Sequence, residues 1–155
     1  MKLGRTPTSA IIIVMAVINL FLTSSCFAQK PAEDAIIGVW EADDGTVKLD
    51  MFKNGTEFKA YLLYGNDVVE ADRVTFKMDT KNPDPSLRSR SLKRIVFIKN
   101  LQWNNGKWSG GSLYDGSSGR PYRCEIEIKG DKMHLRGYLG ISLLGQTRIF
   151  HRASQ

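Results

Sequence analysis

Apolar and polar residues alternate with a period of two along most of the chain, the spacing that sends successive side chains to opposite faces of a β-strand. The alternation is cleanest at Tyr122, Cys124, Ile126 and Ile128, set against Arg123, Glu125, Glu127 and Lys129. It recurs at Val47, Leu49 and Met51, at Phe58, Ala60 and Leu62, and at Val74, Phe76 and Met78. Further strands are expected over 95–101, 107–114, 132–139 and 146–152. Between these segments lie Asp44-Gly45, Asn54-Gly55, Gly65-Asn66, Asn104-Asn105-Gly106, Asp115-Gly116 and Gly130-Asp131, the residue types that tight hairpin turns require. Short strands joined by short turns predict an all-β fold, a single antiparallel up-and-down barrel of about 8–10 strands, because closure removes the edges an open meander exposes. Helix should be confined to a turn near 31–36 and another near 141–144.

One connection is long. From Asp79 to Arg94 the chain carries Pro83 and Pro85 at alternate positions, which remove two backbone donors and push Asn82 and Asp84 to extended conformations. A loop of this length in a small domain is frequently functional.

Charge and export signals narrow the setting. Lys2 and Arg5 precede an apolar run from Ala10 to Leu22, followed by small polar residues, the three-part pattern of a secretory signal peptide. The run is shorter than the roughly 20 residues of a membrane span. Two processing sites compete: Cys26 as a lipidated residue has Thr23 where a large aliphatic is needed, whereas Cys26-Phe27-Ala28 offers small residues at both positions signal peptidase reads. Cleavage after Ala28 is therefore expected, with lipidation at Cys26 the alternative and the only route to a membrane in this reading. Residues 1–28 then form the signal peptide, 29–35 a lead-in and 36–153 one barrel domain, periplasmic or secreted. Loss of Lys2 and Arg5 takes the net charge from +6 to +4, too mild for a nucleic-acid-binding face. Cys124 is left as a lone thiol, which its apolar neighbours at alternate positions assign to the core.

Three blocks carry a resemblance: Lys81-Asn82-Pro83-Asp84-Pro85-Ser86-Leu87-Arg88-Ser89-Arg90, then Trp108-Ser109-Gly110-Gly111-Ser112-Leu113-Tyr114-Asp115, then residues 135–147 from Leu135-Arg136-Gly137-Tyr138 to Gly145-Gln146-Thr147. In this order and spacing the chain resembles the exported bacterial family catalogued as DUF2147, over about residues 36–152. The resemblance implies a lipocalin-like, calycin-type barrel and brings no assigned chemistry. Gly38-Val39-Trp40 is similar to the Gly-x-Trp that opens many lipocalins, which implies an arginine from the last strand, Arg148 or Arg152, stacked on the Trp40 ring as a structural pair. Lys93-Arg94 departs from the family, whose members often have a more apolar stretch there.

The strongest candidate site is the basic end of the long loop, where Arg88, Arg90, Lys93 and Arg94 stand with no acid among them. Arginine's planar fork binds carboxylate or phosphate bidentately, and Asn82 and Asp84 share the loop. The competing reading makes the arginines structural, bonded to Asp79, Asp84 or loop carbonyls. Trp108, Tyr114, Tyr122 and Tyr138, with Gly110, Gly111 and Gly137, form a second set that either lines a pocket or fills a strongly coiled barrel. Ile141, Leu143 and Leu144 are apolar where turn residues are usual, and either cap the barrel or meet a ligand or lipid. His134 and His151 have no partner motif, no zinc spacing exists, and no cofactor is expected. The reading is a non-enzymatic barrel holding a small amphipathic or anionic ligand in its interior. The rival is a solid-cored interaction protein that presents an exposed patch to a protein or cell-wall partner.

Overall fold

The computed structural model describes residues 32–153. The expected signal peptide, its expected cleavage site and Cys26 lie outside them. Eight strands follow in chain order: β1 Gly38–Ala42, β2 Val47–Asn54, β3 Glu57–Gly65, β4 Val96–Asn104, β5 Lys107–Asp115, β6 Arg120–Lys129, β7 Lys132–Tyr138 and β8 Gln146–Arg152. Each pairs antiparallel with the next, and β8 returns to β1 through Trp40↔Arg152, Glu41↔His151 and Ala42↔Phe150, so the sheet closes into a barrel. No helix of the described residues is long and apolar enough to cross a membrane.

The alternation read from sequence sets the faces. Leu49, Met51, Phe58, Ala60, Leu62, Cys124, Ile126, Met133 and Leu135 are buried at alternate positions of their strands. With Trp40, Ile98, Leu101, Trp108 and Phe150 they fill the barrel as one cluster. Gly111 belongs to this packing, since a Cβ there would stand 2.6 Å from Leu101 Cδ2 and 2.7 Å from Cys124 Sγ. Burial pushes the Cys124 thiol up to about 12, so it stays protonated and unreactive.

Two departures from the sequence reading matter. The segment 74–78 is not a barrel strand: Val74 is 76% exposed, and the segment makes only the isolated bridges Val69↔Phe76 and Met78↔Ser91. Asp72 explains this. Its carboxylate accepts from the backbone amides of Val74 and Thr75 and from the Thr75 hydroxyl, offering the chain a turn in place of a ladder, with Arg73 at φ 59°. The long connection therefore runs over 66–95, between β3 and β4, rather than beginning at Asp79.

The turns fall alternately at the two ends. One end, the floor, is closed by a 3-10 turn, Ala32–Ile36, whose Ile36 is fully buried. Trp40 Nε1 donates to the Ile36 carbonyl at 2.8 Å and Trp108 Nε1 to the Glu33 carbonyl at 3.1 Å, so both buried indoles find acceptors on the plug. Lys53 holds the plug from outside through Glu33 and Asp34. Of the two arginines expected on Trp40, Arg152 takes the part: its guanidinium lies 4.0 Å from the ring centroid and donates to the carbonyls of Ile37 and Ala35. Arg148 instead donates to the Thr46 hydroxyl at 3.0 Å, because Trp40 lies opposite Arg152 in the β1–β8 register.

Replacing Arg152 removes two charge-assisted bonds and one stacking contact from a partly solvated site. Arg152→Ala should lower the urea unfolding free energy by about 2 kcal/mol, the lower range for such contacts. Arg148→Ala should cost much less, and the reverse order would contradict the assignment.

Candidate functional site

The opposite end, the mouth, is formed by the 66–95 connection together with the β1–β2, β5–β6 and β7–β8 turns. Its organising group is Asp79, fully buried at the root of the connection. A buried carboxylate is tolerated only when its oxygens meet donors, and four reach this one. Arg90 Nε donates to Oδ2 at 3.0 Å and Arg90 Nη2 stands 2.8 Å from the same oxygen. Asn82 Nδ2 donates to Oδ2 at 2.7 Å, and the Tyr114 hydroxyl donates to Oδ1. Asn82 also donates to the Tyr114 oxygen at 3.2 Å, closing the ring.

The backbone repeats the same connections. Asp79 N donates to Arg90 O at 2.9 Å and Leu92 N to Lys77 O at 2.9 Å, pairing the two limbs of the connection, and Asn82 N closes a turn onto Asp79 O at 3.0 Å. Around the bend Asp84 caps a 3-10 turn, Pro85–Leu87, by accepting from Ser86 N at 2.9 Å and Ser86 Oγ at 2.7 Å. Those bonds hold the Asp84 carboxyl below the usual carboxylate range. Arg88 Nε donates to the Asn82 carbonyl at 2.8 Å. The β5–β6 turn locks on from the other side: Lys81 Nζ donates to Ser117 O at 2.6 Å, and Gly119 lies so close that a Cβ would fall 2.0 Å from Lys81 O.

The structure thus gathers Asn82, Arg90 and Tyr114 on one carboxylate, with Arg88 and Asp84 bracing the same bend. Burial first, then the bond to Asp79, pushes the Tyr114 hydroxyl up to about 12. Trp108 does not join them; it is buried at the floor end of β5. Tyr122 alternates with the buried Cys124 and stands opposite Leu113, whereas Tyr138 is paired with Arg123 in the outer-face row of β6 and β7. The aromatics therefore do not share a pocket.

Beside this framework lies a cleft of about 680 Å³, lined by Asn66, Asp67, Glu70, Lys77, Met78, Thr80, Lys81, Leu92, Gly116 and Ser117. Most of this lining carries no motif, because it comes from the segment 74–78, whose alternation predicts a strand, and from the neighbouring turns. The one available signal was the density of turn-forming and charged residues over 65–73. A second groove of about 240 Å³ runs on the outer wall past Glu127, His134 and Arg136. His151 Nδ1 lies 2.9 Å from Asp43, which also takes Lys132 at 3.0 Å; these bonds, Lys132 first, hold the exposed Asp43 carboxyl low. Among the described residues no three His, Cys, Asp or Glu side chains are grouped to hold a metal.

Two tests follow from the Asp79 framework. Arg90→Ala should destabilise the fold by about 2–3 kcal/mol, below the range for a fully buried pair because the Arg90 side chain is 39% exposed; Arg88→Ala, losing one carbonyl contact, should cost about 1 kcal/mol. Equal losses would contradict the asymmetry. For Tyr114 the folded state keeps a proton that the unfolded chain gives up at the ordinary value of 10.0, so this stability is complete below pH 10 and is lost as pH rises toward about 12. Tyr114→Phe should flatten that alkaline loss in urea titrations; an unchanged slope would contradict the assignment.

With the geometry in hand, comparison with known proteins places the chain. A family model described as "Uncharacterized protein conserved in bacteria (DUF2147)" matches residues 38–152, the whole barrel. No functionally curated protein matches. Among solved structures, a protein described as HP1028 from Helicobacter pylori, belonging to the lipocalin family, superposes with a TM-score of 0.66 at 23% identity, covering 76% of this chain and 82% of that one. A variant of the fluorescent protein UnaG aligns with a TM-score of 0.44 at 14% identity, over 79% of this chain and 99% of that one. The first of these shares the fold, and the family match spans every strand from Gly38 to Arg152: the chain belongs to the DUF2147 family of bacterial proteins and folds as a lipocalin-like barrel.

Proposed function

We propose that this protein is an exported, non-catalytic binding barrel whose ligand sits at the mouth. The observation that carries the reading is the division of space. Trp40, Phe58, Trp108, Phe150 and their aliphatic neighbours are fully buried along the barrel, while a volume suited to a small molecule opens between the 66–95 connection and the β5–β6 turn. The interior site expected for an apolar ligand thus moves to the rim.

The lining indicates the ligand's chemistry. Lys77 and Lys81 each give one donor to a carbonyl, of Asp67 and Ser117, and an ammonium has further donors for an acidic group. Asp67 and Glu70 accept from hydroxyl or amine groups, and Met78, 47% exposed, offers apolar surface. A small amphipathic molecule bearing an acid and hydroxyl or amine donors matches this set. Arg90 is committed to Asp79 and Arg88 to Asn82, so their part is to hold the wall. Export rests on the pattern of residues 1–28, and the lipocalin-like fold supports binding over catalysis.

Native mass spectrometry of the protein recovered from its own envelope or medium tests this reading. The intact mass should begin at Gln29, and a small molecule should be retained by the wild type. Lys77→Gln combined with Lys81→Gln should weaken retention about tenfold, the worth of one or two charge-assisted bonds. A wild type that carries no small molecule, or a double variant that holds it equally well, would overturn the site.

A further inference from the structure

The β7–β8 connection has no charged residue from Gly137 to Thr147, and its aliphatic side chains face solvent. Leu139 is 56% exposed, Ile141 59%, Leu143 82% and Leu144 77%. Four large apolar residues exposed within six positions form a patch that soluble surfaces avoid unless it is used.

The tip is held rigidly from beneath. Arg136 Nε donates to Ser142 O at 2.7 Å, its Nη2 to Leu143 O at 3.1 Å and its Nη1 to Thr147 Oγ1 at 2.8 Å. Ser142 Oγ donates to Glu125 at 2.6 Å, while Leu144 N and Gly145 N close onto the carbonyls of Ile141 and Ser142. The carbonyls of Ile141, Ser142 and Leu143 are thereby met within the chain. A patch meant for a protein partner commonly leaves rim groups for bonds across the interface. A segment that enters the headgroup boundary gains by meeting its backbone groups within the chain, and these three carbonyls are so met.

Charge points the same way. Arg123, opposite Tyr138, and Arg120, at the mouth end of β6, are exposed and make no ion pair with any described residue. Arg148 at the start of β8 is exposed and held to Thr46. Of the acids nearby, Glu125 accepts from Ser142 and has Lys107 at 3.6 Å, while Asp44 and Asp115 are turned into their own turns, onto Thr46 and onto Ser117 and Ser118. We propose that the β7–β8 tip is a membrane-interface anchor, its aliphatic side chains entering the headgroup boundary of an anionic bilayer. Tyr138 stands at headgroup level, and Arg120, Arg123 and Arg148 meet lipid phosphates. This anchoring needs no lipid on Cys26 and does not depend on the cleft.

The test labels the exported protein, in a Cys26→Ser background, with a polarity-sensitive fluorophore at Leu144→Cys or, as a floor-end control, at Asp131→Cys. Mixed phosphatidylcholine–phosphatidylglycerol vesicles should blue-shift the probe at 144 and leave 131 unchanged, and added salt should weaken the response. In unlabelled protein, Leu143→Asp with Leu144→Asp should reduce vesicle partitioning about tenfold or more while circular dichroism stays unchanged. No shift at 144, equal shifts at 144 and 131, an equal response to pure phosphatidylcholine, or a response only to a co-purifying protein would overturn the proposal.

Discussion

Asp79 has no exposed surface, and a carboxylate so placed is stable only while donors meet its oxygens. Arg90, Asn82 and Tyr114 meet them, and they come from both limbs of the 66–95 connection and from β5. One charge thus ties a long, proline-containing crossing to the barrel wall. Losing Arg90 would leave that charge without a counter-ion in the interior, so the connection has one arrangement in which the cost is met.

This constraint sets the two ends of the barrel apart. The floor is sealed by the 3-10 plug and the Trp40–Arg152 stack, and the barrel between is filled by aromatic and aliphatic side chains. The mouth is built of connections rather than ladder, yet it is ordered by side-chain bonds: Asp79 for the longest, Asp84 for its bend, Asp115 for the β5–β6 turn and Arg136 for the apolar tip. Rigid loops on a rigid barrel are the arrangement in which a small binding surface keeps its shape without a partner.

The barrel was legible in the sequence because period two, hairpin turns and buried alternate positions are local signals, and they agree from β5 to β8. Val74, Phe76 and Met78 mimicked that signal; the Asp72 side chain, a competing local hydrogen-bonding partner, prevailed over the pattern. The loop blocks with Arg88, Arg90, Asn82 and Asp84 were legible as a non-strand region dense in polar groups. What the arginines bind is not legible there, since Arg90 meets Asp79, 11 positions back, only once the two limbs of the connection pair. The aromatic set failed to converge for a similar reason: strand direction puts Trp108 at the floor and Tyr114 at the mouth of the same strand, a distinction composition cannot carry.

Amide hydrogen exchange on the wild type and Asp79→Ala tests the central claim most directly, that one buried carboxylate orders the mouth. In the wild type the amides of Asp79, Asn82 and Leu92 should be protected nearly as well as barrel amides, and in the variant they should exchange rapidly while β5 to β8 stay protected. Fast exchange at those amides in the wild type, or unchanged protection in the variant, would contradict it.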